Sequence, residues 1–514
     1  MESLAGWVIL LWGWPRRLCA LAAGGVAALA LAPVDFLAAG FIAFCLLVWL
    51  LDGAVGRGGV IGRAFPFFST GWWFGFGYFL AGMWWLGVPL LSEGGEHAWA
   101  LPVVTIGLPA LLAVTYGTAA LFARPFWDDG LGRVAGLAFG FGFAEWLRAL
   151  VLSGFAWNTI GYTAMPSPLF MQLLPLAGPA GMSAIAVFVF AAPALLGGRK
   201  HVRSGLAVAM ILAVATVGYG FFRLSDATEA ERHIPIRIVQ TSGPAARGDA
   251  AADLVMFSRA PPMRDGLSPR FVIWPERALP FTPSERADVL DALAEALGPD
   301  QTLIAGTLRT ESGTGNTDRR VYNAAVKVNG AGEIADAADQ TRMVPFADYI
   351  PLADHLRQLG FEQLGLDYAL GSSRRLFATE GGLAALPLLG GETVIPFAAR
   401  EQKGEADFIV ALASDGAYSG TSQPYQHLRQ AQFRAAEACL SMARASAGGI
   451  SAVIDAHGRV LDGLADNANG MLDVRLPVIR AECTNFAVFG VEGLSFIAVF
   501  AILALLIRMR GRSV

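Results

Sequence analysis

Apolar residues fill the first part of this chain in runs too long for a soluble core, and the pattern changes character at about residue 223. Crossing the hydrocarbon core of a bilayer takes roughly 20 apolar residues in a helix. Runs of that kind lie near residues 18–33, 36–53, 69–91, 99–123, 133–153, 169–196, 204–222 and 487–507. The first two are short and are separated only by the Pro33–Asp35 turn, so they predict a helical hairpin. The pattern therefore predicts a membrane domain of seven transmembrane helices over 1–222, and an eighth helix with a cytoplasmic tail over 487–514.

Between them, residues 223–486 alternate short β-rich stretches with helical ones. Ile236–Gln240, Phe271–Trp274, Thr302–Ala305, Ala324–Val328, Phe408–Ala411 and Ile450–Ile454 predict buried strands bounded by turn residues. Pro283–Leu297 and Pro424–Ala447 predict helices. Such alternation implies a layered α/β domain.

Composition agrees with a membrane protein: 54% of residues are hydrophobic and 16% charged, where soluble domains carry about a quarter charged. The net charge of −4 argues against nucleic acid as a partner, since no basic surplus exists to neutralise phosphates. Arginines set the orientation. Arg16 and Arg17 precede the first run, and Arg57 and Arg63 lie between the second and third. Arg124 and Arg133 separate the fourth and fifth, and Arg199, Lys200 and Arg203 the sixth and seventh. Arg508, Arg510 and Arg512 follow the last, whereas the alternate loops are acidic or neutral, as at Glu93, Glu96 and His97. Every basic loop falls on one side if both termini are cytoplasmic, which puts 223–486 outside the cytoplasm. Trp72-Trp73-Phe74 and Trp84-Trp85, near run ends, suit a lipid-facing aromatic belt. The four cysteines show no metal spacing and the six histidines do not cluster, so neither a metal nor another cofactor is expected.

Several segments carry chemistry. FVIWPERALP from Phe271 ends a strand in Trp-Pro-Glu, which places Glu276 at the strand's C-terminal edge, where α/β active sites gather. YNAAVKVNG follows from Tyr322, MVPFADYIP from Met343 and SQPYQHLRQAQFRAAE from Ser422. Ala144–Arg148 reads AEWLR and Gly154–Tyr162 reads GFAWNTIGY. This ordered set resembles the apolipoprotein N-acyltransferase family from about residue 18 to 507. The resemblance implies a nitrilase-type αββα sandwich on an eight-helix scaffold in the bacterial inner membrane. It also implies a cysteine nucleophile that moves an acyl chain from phospholipid to a lipoprotein α-amine, a glutamate base and a lysine that stabilises the oxyanion.

Carried over residue by residue, the resemblance places Glu276 at the base. The family's lysine precedes a Leu-Val-Pro-Phe motif, here Met343–Phe346, so its position falls on Gln340. Lysine occurs only at Lys200, Lys327 and Lys403, none in that motif. The family's strand-end Cys-Tyr-Glu is expected at Pro396-Phe397-Ala398, where proline offers no nucleophile. Asp348 stands for the glutamate of Pro-Phe-Gly-Glu, and Ser414-Asp415-Gly416-Ala417 for an Asn-Asp-Ala-Trp stretch. Asp348, Phe397, Ser414 and Tyr418 are the expected binding residues. Ser414 and Thr393 are hydroxyl alternatives that each need a base in reach. His427 is expected as a structural helix-face residue, and Cys439 as a packed thiol able to pair with Cys483 in an oxidising compartment. The expected function is a pseudoenzyme that binds phospholipid or lipoprotein without cysteine-dependent transfer. The alternative is a transferase with a different nucleophile.

Overall fold

The computed structural model describes residues 1–92, 98–152, 154–198, 200–225, 232–243, 250–263, 266–312, 319–345, 348–349, 368–379, 381–396, 398–399, 405–479 and 492–511. Glu93, Glu96, His97, Arg199, Phe346, Phe397, Lys403, Cys483 and Arg512 lie outside them. The chain divides into two units: Met1–Val151 with Ala156–Asp226 and Thr484–Val514, and Leu152–Phe155 with Ala227–Cys483.

The first unit is helical. Among the described residues, five helices are long and apolar enough to cross a membrane: Val103–Phe126, Leu131–Val151, Leu174–Gly197, Val202–Ser225 and Gly493–Arg510. Val60–Gly82 and Trp84–Leu91 meet at a 59° bend and make a sixth if they are one span. The expected hairpin forms as Gly13–Ala28 and Ala38–Asp52, helices of 16 and 15 residues that fall short of the spanning length. Small residues let helices touch: a β-carbon on Gly24 would overlap the Phe74 carbonyl, and one on Gly77 the Leu21 carbonyl. Only part of the expected aromatic belt faces outward. Trp84 is exposed, whereas Trp85 is buried and Phe74 packs inside against Phe44 and Phe141.

Two motif segments of this unit explain each other. Glu145 and Arg148 sit one turn apart on Leu131–Val151, buried and paired at 2.8 Å. Glu145 Oε1 also accepts from the Tyr116 hydroxyl (2.9 Å) and the Ile160 N–H (3.0 Å), while Arg148 Nη2 donates to Thr159 Oγ1 (2.9 Å). Isolated charges at membrane depth are costly, so an apolar helix carries this pair only with its partners supplied. The pair ties the Asn158–Tyr162 segment to the helix.

The second unit contains two six-stranded sheets. One is ordered β12-β1-β2-β3-β4-β5, from Gly470–Val478, Arg232–Gln240, Phe271–Ile273, Thr302–Ser312, Arg319–Val328 and Ile334–Asp339. The other is β11-β10-β9-β8-β7-β6, from Val460–Gly463, Ala452–Ile454, Met442–Ala447, Phe408–Ser414, Ala384–Leu389 and Phe377–Ala378. Period-2 alternation puts Ile236, Ile238, Ile273 and Ile304 of the first sheet in one buried cluster with Leu389, Val410, Leu412 and Val453 of the second. Val239, Val272 and Trp274 face the other way, against Leu254 and Leu293 of helices Ala250–Arg259 and Ala287–Ala296. Helix Gln423–Ala438 packs on β9 and β10. The layers run helix, sheet, sheet, helix.

The expected helix Pro424–Ala447 is a helix followed by a strand. It stops at Ala438 because Cys439 adopts the left-handed conformation (φ 54°), and Met442–Ala447 becomes fully buried β9. Strand β7 has no counterpart among the expected strands, and the site depends on it.

Candidate active site

Parallel strands deliver their C-terminal ends to one edge, and the site is assembled from those ends. In the first sheet β2 pairs in parallel with both β1 and β3, and Trp274 N–H continues the ladder to Ile304 O (2.9 Å). Pro275-Glu276 then breaks away, and Glu276 N–H donates to Ala413 O of β8 in the second sheet (3.3 Å). Arg277 takes a positive φ of 51°. The backbone here presses on Gly306 of β3, where a β-carbon would meet Glu276 Cα and Arg277 N. Glu276 is thus fixed by backbone on both sides and is 7% exposed. Burial pushes its carboxyl up to about 7, with Arg277 opposing and Asp348 adding to the rise.

Asn323 Nδ2 donates to Glu276 Oε1 and to Gln340 Oε1, each at 2.8 Å. Gln340 follows β5 and is pinned by its own N–H on Asn323 O (2.8 Å). Its Nε2 donates to Asp348 Oδ2 (2.9 Å), which also accepts from Val344 N–H (2.8 Å). Burial raises the Asp348 carboxyl as well, against those two hydrogen bonds. Glu276, Asn323, Gln340 and Asp348 therefore form one chain of hydrogen bonds. Among the described residues no ammonium enters it: Lys327 bonds Ala378 O, and Lys200 bonds Asp129 in the other unit. Sequence reasoning passed over Asn323, although an amide inside an apolar strand was a usable signal.

The strand expected to end at Pro396 ends earlier. β7 ends at Leu389, and the residues that leave its end are Gly390-Gly391-Glu392. Gly390 has φ +50°, and a β-carbon placed on it would stand 2.8 Å from Glu276 Oε1. A β-carbon on Gly391 would overlap Val344 and lie 3.6 Å from Asp348 Oδ2. Pro396 lies beyond the turn Gly390–Val394, and Glu276 makes no hydrogen bond to it. Glu392, in this turn, is buried. Glu392 Oε1 accepts from Thr341 N–H, Thr341 Oγ1, Arg342 N–H and Arg374 Nη2 at 3.0–3.1 Å, and Oε2 from Leu389 N–H at 3.0 Å. It fastens the turn to the segment that carries Gln340.

Of the other expected residues, Ser414 ends β8 opposite Ala447 and Tyr418 closes a short turn, both half-buried and neither bonded to Glu276. Cys439 is disulfide-bonded, which removes it as a nucleophile. Among the described residues no group of three His, Cys, Asp or Glu side chains could hold a metal. His427, expected as a structural residue, is buried between Asp415 and Thr393, 2.7 Å from each.

Comparison with known proteins supplies the remaining observation. Residues 23–192 match the apolipoprotein N-acyltransferase N-terminal domain, and residues 236–484 match the carbon-nitrogen hydrolase domain. Over 493 residues the chain is 43% identical to the apolipoprotein N-acyltransferase of Rhizobium rhizogenes, covering 93% of this chain and 92% of that one. It is 42% identical over 495 residues to that of Brucella suis, covering 93% of each. This chain belongs to the apolipoprotein N-acyltransferase family. Among solved structures, a nitrilase-superfamily amidase from Nesterenkonia aligns at 19% identity and a TM-score of 0.35, over 48% of this chain and 93% of its own. In this family member, then, the strand end facing the buried glutamate carries two glycines, and a glutamine links Asn323 to Asp348.

Proposed function

We propose that this protein is an inner-membrane pseudoenzyme with respect to its family's thiol chemistry, binding phospholipid and lipoprotein without cysteine-dependent acyl transfer. The observation that carries this reading is the 2.8 Å approach between Glu276 Oε1 and the place of a Gly390 side chain. That approach supports reading Gly390 as the family's nucleophile position, with Glu276 as the inherited base and Gln340 at the lysine's place. A thiolate route needs a sulfur there and a positive charge to hold the oxyanion. The chain offers a hydrogen atom and a neutral amide there, with the Glu276 carboxylate alongside. Removing one member of a catalytic unit typically removes most of the acceleration.

The membrane arrangement that accompanies this reading is eight crossings with both termini cytoplasmic and residues 223–486 in the periplasm. The basic loops support it, and so does the disulfide at Cys439, since such bonds persist in oxidising compartments. Asp348, Phe397, Ser414 and Tyr418 are assigned to the binding face.

Fluorescent phosphatidylethanolamine titrated into the purified full-length protein in detergent micelles tests the proposal. Saturable binding that is unchanged by iodoacetamide is expected. No binding, or acyl transfer that iodoacetamide blocks, would overturn it.

A further inference from the structure

Three side chains near the vacated position form a line that the family mechanism does not use. Thr393 Oγ1 lies 2.7 Å from His427 Nε2, and His427 Nδ1 lies 2.7 Å from Asp415 Oδ1. The second Asp415 oxygen accepts from Arg444 Nη2 (2.7 Å) and Ser446 Oγ (2.9 Å), and Gln423 Nε2 donates to the first (3.0 Å). All three members of the line are buried.

Electrostatics fix the protons. Burial alone would raise the Asp415 carboxyl, but His427 and Arg444 hold it well below the usual carboxylate range. Burial lowers the His427 imidazole, more than Asp415 raises it. An ionised carboxylate beside a neutral imidazole takes the Nδ1 proton as a hydrogen bond. The Nε2 lone pair then faces the Thr393 hydroxyl. This is the tautomer a hydroxyl nucleophile requires, and such constellations are recognised by geometry rather than by chain order.

Placement also follows from the fold. β7 and β8 are parallel and paired, so the Gly390–Val394 turn after one and Asp415 after the other leave the same edge. In a 3-10 turn, side chains three apart eclipse, which puts Thr393 on the same face as Gly390, with its hydroxyl 3.3 Å from Gly390 O.

We propose that Thr393, His427 and Asp415 form a second acyl-transfer site, which takes the acyl group of a carboxylic ester onto a hydroxyl oxygen. The proposal rests on the reading that a phospholipid acyl ester is held at this edge. The Thr393 oxygen bonds to the ester carbonyl carbon as its proton passes to His427 Nε2. The carbon–oxygen bond to the glycerol then breaks, and the same proton goes to the departing alcohol oxygen. The products are a lysophospholipid and O-acyl-Thr393. A primary amine or water reverses the steps: it bonds to the carbonyl carbon, gives its proton to His427, and the acyl–oxygen bond breaks as Thr393 regains a proton.

An alkyl fluorophosphonate, added to the full-length protein in micelles and followed by peptide mass spectrometry, decides the matter. One adduct on Thr393 is expected. It should fall by about 100-fold or more in Thr393→Val and in His427→Gln, and persist in Thr393→Ser. Absence of an adduct, or equal labelling of Thr393→Val, would overturn the relay. Phosphatidylethanolamine binding measured on the same samples separates the two proposals. Bound but unlabelled protein removes only the relay, whereas protein that binds no phospholipid removes the lipid-binding reading.

Discussion

Glu276 and Gly390 face each other so closely that a β-carbon on the glycine would stand 2.8 Å from the carboxylate oxygen. The glutamate comes from the end of β2 in one sheet and the glycine from the end of β7 in the other, and each position explains the other. Gly390 can sit at φ +50° without steric cost, and having no side chain it lets Glu276 advance. Gly390→Ala should destabilise the protein by about 1 kcal/mol from the left-handed backbone alone. Thermal unfolding of the two proteins in the same detergent measures it, and an unchanged midpoint would contradict the approach.

The Glu276 carboxyl supplies a pH dependence with a definite sign. Its value is raised from 4.5 to about 7 in the folded protein, so the folded state keeps a proton that the unfolded chain releases. Its contribution is fully present below about pH 4.5 and is lost as pH rises through about 7, on the order of 3 kcal/mol across that window. Glu276→Gln keeps an oxygen for Asn323 and removes the titration. The variant should gain stability over the native protein between these pH values and hold the gain above pH 7. Parallel stability curves for the two would refute the assignment.

How much of this was legible beforehand turns on one proline. Glu276, Gln340 and Asp348 could be placed from sequence, because Trp-Pro-Glu and Met-Val-Pro-Phe are short, rigid landmarks. Ala384–Leu389 was not legible as a strand, since Pro387 cannot donate to a ladder and usually marks a strand's end. The structure tolerates it because, among the described residues, β6 pairs only with Ala384 and Ala385 and does not reach Pro387. With that strand missed, the strand end was expected at Pro396 and Glu392 went unnoticed. The turn at Cys439 escaped for a similar reason: a left-handed cap that is not glycine leaves no sign in the sequence.

Glu392 should be the costliest carboxylate to remove in this unit. Glu392→Ala strands the buried Arg374 guanidinium and four further donors around the Thr341 segment and Leu389. Breaking a buried pair of this kind typically costs about 3–5 kcal/mol. Expression and unfolding midpoint should both drop sharply. A variant that melts like the native protein would show that the turn is held by other contacts.

Restoring the missing groups should restore thiol chemistry. In Gly390→Cys the neighbouring Glu276 charge disfavours the thiolate, so alkylation by iodoacetamide should be slow at neutral pH. Adding Gln340→Lys supplies a cation on the far side of Asn323 and should speed alkylation by about tenfold. Equal rates in the single and double variants would place residue 340 out of electrostatic reach of residue 390.

The most direct measurement asks whether any acyl-thioester forms. Full-length protein is incubated with phospholipid carrying a radiolabelled acyl chain, and the bound label is challenged with hydroxylamine at neutral pH, which releases thioesters and spares oxygen esters. The native protein should carry no neutral-labile label, while Gly390→Cys with Gln340→Lys should acquire it. A neutral-labile acyl group on the native chain would contradict the account.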